Sequence, residues 1–353
     1  MKELKELGYM FFCGRNNRPL GVEVSKLLGE YLIGKPLEFS FIDFGVWRDG
    51  CPNDKVINFE EVKGKKIILF DSLTTKESML DFLQFSMALR QQYGAASLLA
   101  VIPFLLVRRC DHEEKVEEIA YLKHYIELMA FAGVTDMIVC APHSDSIAKN
   151  CKEVGINFEA AYMDFSRALK TVVPKGEGEK TIFYSPDEGS IPRAIAHAKK
   201  IPGSRVMFNL KIRKDNNQTE IRQPSKEEIE AVIKKYSEEF DFNLLSYLDE
   251  NEIKGANIIM IDDEMSSGGT ANSTGRSLKE KGAKAIFFAF THPVCVNGWK
   301  QTLFFNNPFA KVLAGNTIIR NEFNRTGGKI IDISTDEVIA SAMYGVIAPT
   351  IAS

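Results

Sequence analysis

The sequence has little that would support a disulfide framework or a structural metal. Its six cysteines (Cys13, Cys51, Cys110, Cys140, Cys151 and Cys295) are scattered, with no Cys-x-x-Cys pair and no zinc-like spacing. Reduced, mostly buried thiols are the expectation. A basic excess is also lacking: Lys plus Arg is 44 against 47 for Asp plus Glu. No overall positive field exists to hold nucleic acid by counterion release, so nucleic acid is not expected as a partner. No apolar run approaches the ~18 to 20 residues needed to span a bilayer. The opening MKELKELGYMFFCGRNN lacks the basic region, long apolar region and cleavage site of a signal peptide. A cytoplasmic protein without membrane attachment is therefore expected. Core-forming residues are in ordinary supply, 45% hydrophobic against 26% charged, which argues against disorder.

At roughly 100 to 200 residues per domain, 353 residues suggest two domains. Short aliphatic runs alternate with amphipathic stretches. The runs are KKIILFDS, SLLAVIPF, DMIVCAP, KTIFYSP, SRVMFNL, ANIIMIDD, KAIFFAF, KVLAGNTI and GKIIDIS. Between them lie helical patterns such as KESMLDFLQFSMALRQQYG, EKVEEIAYLKHYIELMAFAG and SIPRAIAHAKK. Continuous apolar strands separated by helices point to an α/β protein with parallel sheets covered on both faces. The rhythm occurs twice, the first series ending near DMIVCAPH, which gives domains over 1–155 and 156–353. The stretch TVVPKGEGEK, rich in Pro, Gly and charge, reads as an exposed connection. Residues 216–250 interrupt the second series and read as an insertion, either a surface excursion or a lid over a ligand.

The segment NIIMIDDEMSSGGTANSTGRSLKEKGA joins an apolar strand, two acids, a small-residue loop and an amphipathic helix. Ser266, Ser267, Gly268, Gly269 and Thr270 would expose backbone N–H groups at a helix N-terminus. Glycine there allows close approach to an anion, and the helix dipole adds partial positive charge. Asp262 and Asp263 would accept hydrogen bonds from vicinal hydroxyls or hold hydrated magnesium. A 5-phosphorylated ribose, with a phosphate at one end and a cis-diol at the other, matches that spacing.

This segment resembles the phosphoribosyl-binding signature of type I phosphoribosyltransferases and of ribose-phosphate pyrophosphokinases. Further motifs favour the pyrophosphokinases. FFAFTHPV supplies the Thr-His pair, Thr291 and His292. YSPDEGSIPRA is similar to the family's SPDxGxxxRA element, with Asp187, Gly189 and Arg193. FNLKIRK resembles its catalytic K-x-R, with Lys211 and Arg213. APHSDS stands where the family has a metal-associated histidine, giving His143. VIPFLLVRRCD resembles VIPYxxYxRQD, giving Arg109, and VWRDG resembles RFSDG, giving Trp47 and Asp49.

The resemblance implies two doubly wound parallel-sheet domains of phosphoribosyltransferase type. It implies transfer of diphosphate from ATP, the co-substrate, to the C1 hydroxyl of ribose 5-phosphate. Lys211 and Arg213 would be catalytic, and Trp47, Asp49 and Arg109 would bind ATP. Asp262, Asp263 and the loop from Ser266 to Thr270 would bind ribose phosphate. His143 and Asp187 would contact Mg2+ or its water shell. A homo-oligomer is implied as well.

The chain departs from the family pattern at several points. Cys51 stands in place of a glutamate and Cys110 in place of a glutamine, both near the nucleotide elements. Ser266 stands where the family loop carries an acid, which leaves room for a bulkier 5-substituent. CDHEEKVEEIA, acidic and helix-prone, replaces an arginine-rich regulatory loop. Two alternatives follow: the same transfer to ADP-ribose or another 5-substituted ribose in NAD salvage, or a non-catalytic regulatory homologue.

Overall fold

The computed structural model describes residues 8–37, 39–111, 118–174, 179–185, 188–213, 219–222, 224–235, 250–305 and 307–352. The chain divides into two compact units. The first comprises the chain through Met163 together with Asn316–Ile319 and Ser334–Ser353; the second is Asp164–Gly315 with Arg320–Ile333.

In the first unit, strands Tyr9–Cys13 (β1), Ser40–Asp43 (β2), Lys55–Val56 (β3), Lys66–Phe70 (β4), Ser97–Ile102 (β5), Asp136–Cys140 (β6) and Asn157–Ala161 (β7) form one sheet. Its order is β3-β2-β1-β4-β5-β6-β7. All neighbours are parallel except β2 and β3. Side chains alternate across the strands, so each strand feeds two cores. Met10, Phe12, Ile67 and Leu69 face one side with residues of helices Lys76–Met87 (α2) and Tyr121–Phe131 (α3). Tyr9, Phe11, Ile68 and Phe70 face the other with residues of Arg18–Ile33 (α1). Burial on both faces is why the central strands β1, β4 and β5 are nearly unbroken apolar runs. Gly34, at φ 71°, ends α1 by donating its N–H to the Glu30 carbonyl. A reciprocal Thr75–Ser78 capping pair starts α2. Helix Ser146–Glu153 (α4) follows β6.

The second unit contains helices Ser166–Val172 (α5), Ile191–Ala198 (α6), Lys226–Lys235 (α7), Gly269–Glu280 (α8) and Trp299–Phe304 (α9). Strands Thr181–Ser185 (β8), Ser204–Phe208 (β9), Asn257–Glu264 (β12), Ala285–His292 (β13), Lys311–Gly315 (β14) and Ile330–Ile333 (β15) make a parallel sheet in the order β15-β14-β13-β12-β8-β9. Leu210–Arg213 (β10) and Thr219–Arg222 (β11) form a separate antiparallel hairpin.

Apart from the short antiparallel β3 and the hairpin, both sheets have the same winding. In each, the chain's second strand lies at one edge, the first beside it, and the later ones follow in sequence on the other side. The winding reverses between β1 and β4 in one unit and between β8 and β12 in the other. Ligands of doubly wound sheets gather at the carboxyl ends of strands beside such reversals.

In the first unit, the chain's own residues occupy that position. The Asn17 amide donates to the Asn316 carbonyl at 2.9 Å and the Thr317 carbonyl at 3.1 Å, and the Ser72 hydroxyl donates to Thr317 at 2.6 Å. Asp71, just past β4, accepts from the N–H groups of Asn16 and Ser72 and from the Asn16 amide. A Cβ at Gly14 would lie 2.2 Å from the Asp71 carboxylate, so only glycine fits there. Asn316 in turn accepts from the Thr335 N–H and hydroxyl. The final helix, Asp336–Ala352 (α10), packs Ile339, Ala340, Met343 and Ile347 into the core formed with Leu20, Val24 and Leu28 of α1.

Two expectations about organisation are corrected. The units part at Met163/Asp164 rather than at 155/156, because β7 still belongs to the first sheet. Residues 334–353 close the first unit, not the second. The 216–250 insertion includes β11 and α7; residues 236–249 lie outside the described residues. Glu118 to Ala120 are not helical, and α3 begins only at Tyr121.

Candidate active site

Strand β12 pairs with β8 on one side and β13 on the other, and its last turns of pleat carry Asp262 and Asp263. Asp262 keeps 35% of its side chain exposed, whereas Asp263 keeps only 5%. The Asp263 N–H donates to the Asp262 carboxylate at 2.8 Å. Burial, then the neighbouring Asp263 charge, pushes the Asp262 pKa up, while Arg193 pulls it down. Arg193, on α6, places Nη2 3.6 Å from Asp262 Oδ1 and 3.7 Å from Asp263 Oδ1.

The loop after the acids is fixed by its neighbours. The Met265 N–H donates to the His292 carbonyl, and the Cys295 and Val296 N–H groups donate back to Met265 and Ser266. Gly268, at φ 76°, is the N-cap of α8 and supplies no side-chain cap. The first-turn N–H groups of an uncapped helix need partners from outside it. Ser267, Gly269 and Thr270 are exposed, and the Ser267 hydroxyl accepts from Gly269 at 3.4 Å. A water-sized recess of about 20 Å³ lies between Asp262 and Thr270, lined also by Met260, Ile261, Ala271 and Phe288. Asn272 ties α8 to α9 through the Thr302 carbonyl at 2.6 Å. Asp262, Asp263 and the Ser266–Thr270 loop thus stand together, as the sequence pattern requires. The set combines hard carboxylate oxygens with backbone donors, a chemistry suited to a diol at one end and an anion at the other.

The other candidates lie on other elements. Lys211 and Arg213 lie on β10, in register with Ile221 and Thr219 of β11. Thr291 and His292 are buried at the end of β13. Asp187 lies outside the described residues. His143 is exposed in the turn between β6 and α4, two residues past Ala141 at φ 40°. Trp47 and Asp49 occupy a tight turn closed by the Trp47 N–H to the Cys51 carbonyl and the Gly50 N–H to Trp47. Trp47 is 59% exposed. The Cys51 N–H donates to Asp49 and holds its carboxyl below the usual range. Of the two arginines after β5, Arg108 is buried with its guanidinium 4.5 Å from the Phe104 ring centre, while Arg109 is exposed. Cys51 and Cys110 are exposed and the other four thiols buried.

The motif YSPDEGSIPRA contains Arg193 without marking its contacts, and no sequence pattern marks His197. The structure brings Arg193 to the acids and places His197 directly behind it.

Among the described residues, no group of three or more His, Cys, Asp or Glu side chains could hold a metal, and no helix is long and apolar enough to cross a membrane.

Residues 157–294 match the family model described as the phosphoribosyl transferase domain. The chain is 25% identical over 343 residues to a ribose-phosphate pyrophosphokinase of Ralstonia nicotianae, covering 96% of this chain and 95% of that one. It is 27% identical over 288 residues to ribose-phosphate pyrophosphokinase 2, chloroplastic, of Oryza sativa subsp. japonica, covering 80% of this chain and 62% of the rice protein's length. The crystal structure of phosphoribosylpyrophosphate synthetase from Mycobacterium smegmatis superposes with a TM-score of 0.72 at 20% identity, over 97% of this chain and 99% of that one. The doubly wound sheets and the acid–loop–helix site therefore define an α/β protein of phosphoribosyltransferase type. Within that class, the chain is similar over most of its length to ribose-phosphate pyrophosphokinases.

Proposed function

We propose that the protein transfers the β,γ-diphosphate of ATP to the C1 hydroxyl of ribose 5-phosphate, giving 5-phosphoribosyl 1-diphosphate and AMP. The observation that carries this reading is the pair Asp262 and Asp263 at the end of β12, followed directly by the loop that opens α8 without a side-chain N-cap. The loop N–H groups hold the 5-phosphate, and the acids accept from the ribose hydroxyls. In the reaction the C1 oxygen forms a bond to the β-phosphorus while the bond from that phosphorus to the bridging oxygen of AMP breaks. The C1 hydroxyl proton leaves to solvent.

Such a transfer needs alignment and charge neutralisation more than covalent chemistry from the protein. Lys211 and Arg213 are the cations assigned to charge developing on the transferred group. Arg109, Trp47 and Asp49 are assigned to ATP by the family motifs they match, with Arg109 as a forked phosphate donor, Trp47 as a face for the adenine and Asp49 as an acceptor. The oxygen donors of Asp262 and Asp263 fit a hard divalent cation, and His143 and Asp187 complete the assignment for Mg2+. When bound, Mg2+ supplies neutralisation of phosphate charge. A cytoplasmic homo-oligomer is part of the same reading.

The test is AMP release from ATP and Mg2+ with ribose 5-phosphate as acceptor, in the parent protein and in Lys211→Ala. Turnover is expected to fall by orders of magnitude in the variant, with ATP binding retained, because the charge acts mainly in the transition state. An unchanged rate removes Lys211 from the chemistry, and absence of acceptor-dependent AMP release from the parent protein overturns the reading.

A further inference from the structure

We infer that Arg193 is a positioning residue that clamps Asp262 and Asp263 side by side for the acceptor's vicinal hydroxyls, and that His197 sets its pose; the ligand named here rests on the function proposed above. Two adjacent carboxylates, one of them nearly buried, repel each other, so a shared cation is needed to hold both toward one ligand. Arg193 Nη2 lies almost equally far from the two, at 3.6 and 3.7 Å, and therefore serves the pair rather than either acid. At those lengths it balances charge without occupying close hydrogen-bonding positions on either carboxylate.

Local hydrogen bonding holds the arginine at one nitrogen only. Nη2 donates to the Ser190 hydroxyl at 3.1 Å, but Nε is buried and has no partner among the described residues. The main chain of Arg193 is held from behind. The Phe165 N–H donates to His197 Nε2 at 3.1 Å, which makes that nitrogen the acceptor and leaves the proton on Nδ1. Nδ1 then donates to the Arg193 carbonyl at 2.8 Å. The ring is buried between Phe165 and Phe183, at centroid distances of 6.0 and 6.4 Å. Burial lowers the His197 pKa, so the imidazole stays neutral and adds no second cation behind Arg193. A run of contacts from Phe165 through His197 and Arg193 to the acids thus lies wholly within the second unit.

The test separates positioning from chemistry. In Arg193→Gln, KM for ribose 5-phosphate is expected to rise roughly tenfold, the effect of ~1.4 kcal/mol, as the acids lose the charge they share. The kcat and KM for ATP should hold within about threefold on the same argument. Arg193→Lys should recover part of the loss, since it keeps the charge but not the fork. His197→Phe should give the same pattern more weakly. A fall in kcat at constant KM, or no change at all, overturns the inference. The clamp is also read without any acceptor, by a thermal-unfolding double-mutant cycle over Arg193→Lys and Asp263→Asn. Coupling between the two supports the clamp and additivity sinks it, even if ribose 5-phosphate proves not to be the acceptor.

Discussion

Asp71 has donors aimed at it from the Asn16, Asn17 and Ser72 N–H groups and the Asn16 amide, yet burial outweighs them and pushes its pKa up to about 6. A carboxyl whose pKa is higher in the folded chain than in the unfolded one holds its proton longer when folded. Its contribution to stability is therefore complete below about pH 4 and is lost as the pH rises through about 6, by about 3 kcal/mol for a shift of some two units. Comparing urea unfolding of the parent with Asp71→Asn cancels the other titrations. The parent should lose stability relative to the variant between pH 4 and pH 7, and a flat difference would refute the shift. Residues such as Asp262, Asp263 and Ser266–Thr270 were legible in the sequence because strand, acids, loop and helix are contiguous. The pose of Arg193 was not, since it depends on His197 and on a strand far along the chain.

The start of α8 depends on one backbone conformation. Gly268 adopts φ 76°, a left-handed geometry that costs an alanine ~1 to 2 kcal/mol. A Cβ there would also come within 3.2 Å of the Met265 sulfur and 3.3 Å of a Thr302 methyl, side chains able to move a little. Gly268→Ala should fold with a modestly lower Tm but bind ribose 5-phosphate about tenfold more weakly, as the loop N–H groups shift from the anion. Calorimetric titration checks this, and parent-like affinity would show that the loop geometry is not used. Nine apolar runs were readable as strands because both their faces are covered. Edge strands such as β7, with its polar NFEAA sequence, and the two-residue β3 lack that signal. The helix-like reading of CDHEEKVEEIA failed at its end, where acidic propensity was not matched by apolar spacing until Tyr121.

The two-unit organisation was legible from the repeated rhythm of strands and helices, but not the return of residues 334–353 to the first unit. The helical pattern of α10 says that it must pack, not which sheet it covers. Ile339, Met343 and Ile347 are fully buried there, each contributing roughly 1.5 to 3 kcal/mol, a sum comparable to the ~5 to 15 kcal/mol margin of a whole domain. Truncation after Ile333 should leave residues 164–333 resistant to limited proteolysis while the first unit becomes cleavable. Equal resistance of both would mean that α10 is dispensable.

Because α10 completes the first unit, the order of synthesis and the order of folding differ. A growing chain can bury the face of the first sheet that meets α2 and α3 early, but the neighbouring face beside α1 stays partly bare while the entire second unit is translated. At about 5 to 20 residues per second, that interval lasts many seconds, with a sticky surface exposed on the ribosome. The second unit can mature first. The order of completion thus inverts the usual vectorial order in two-domain chains.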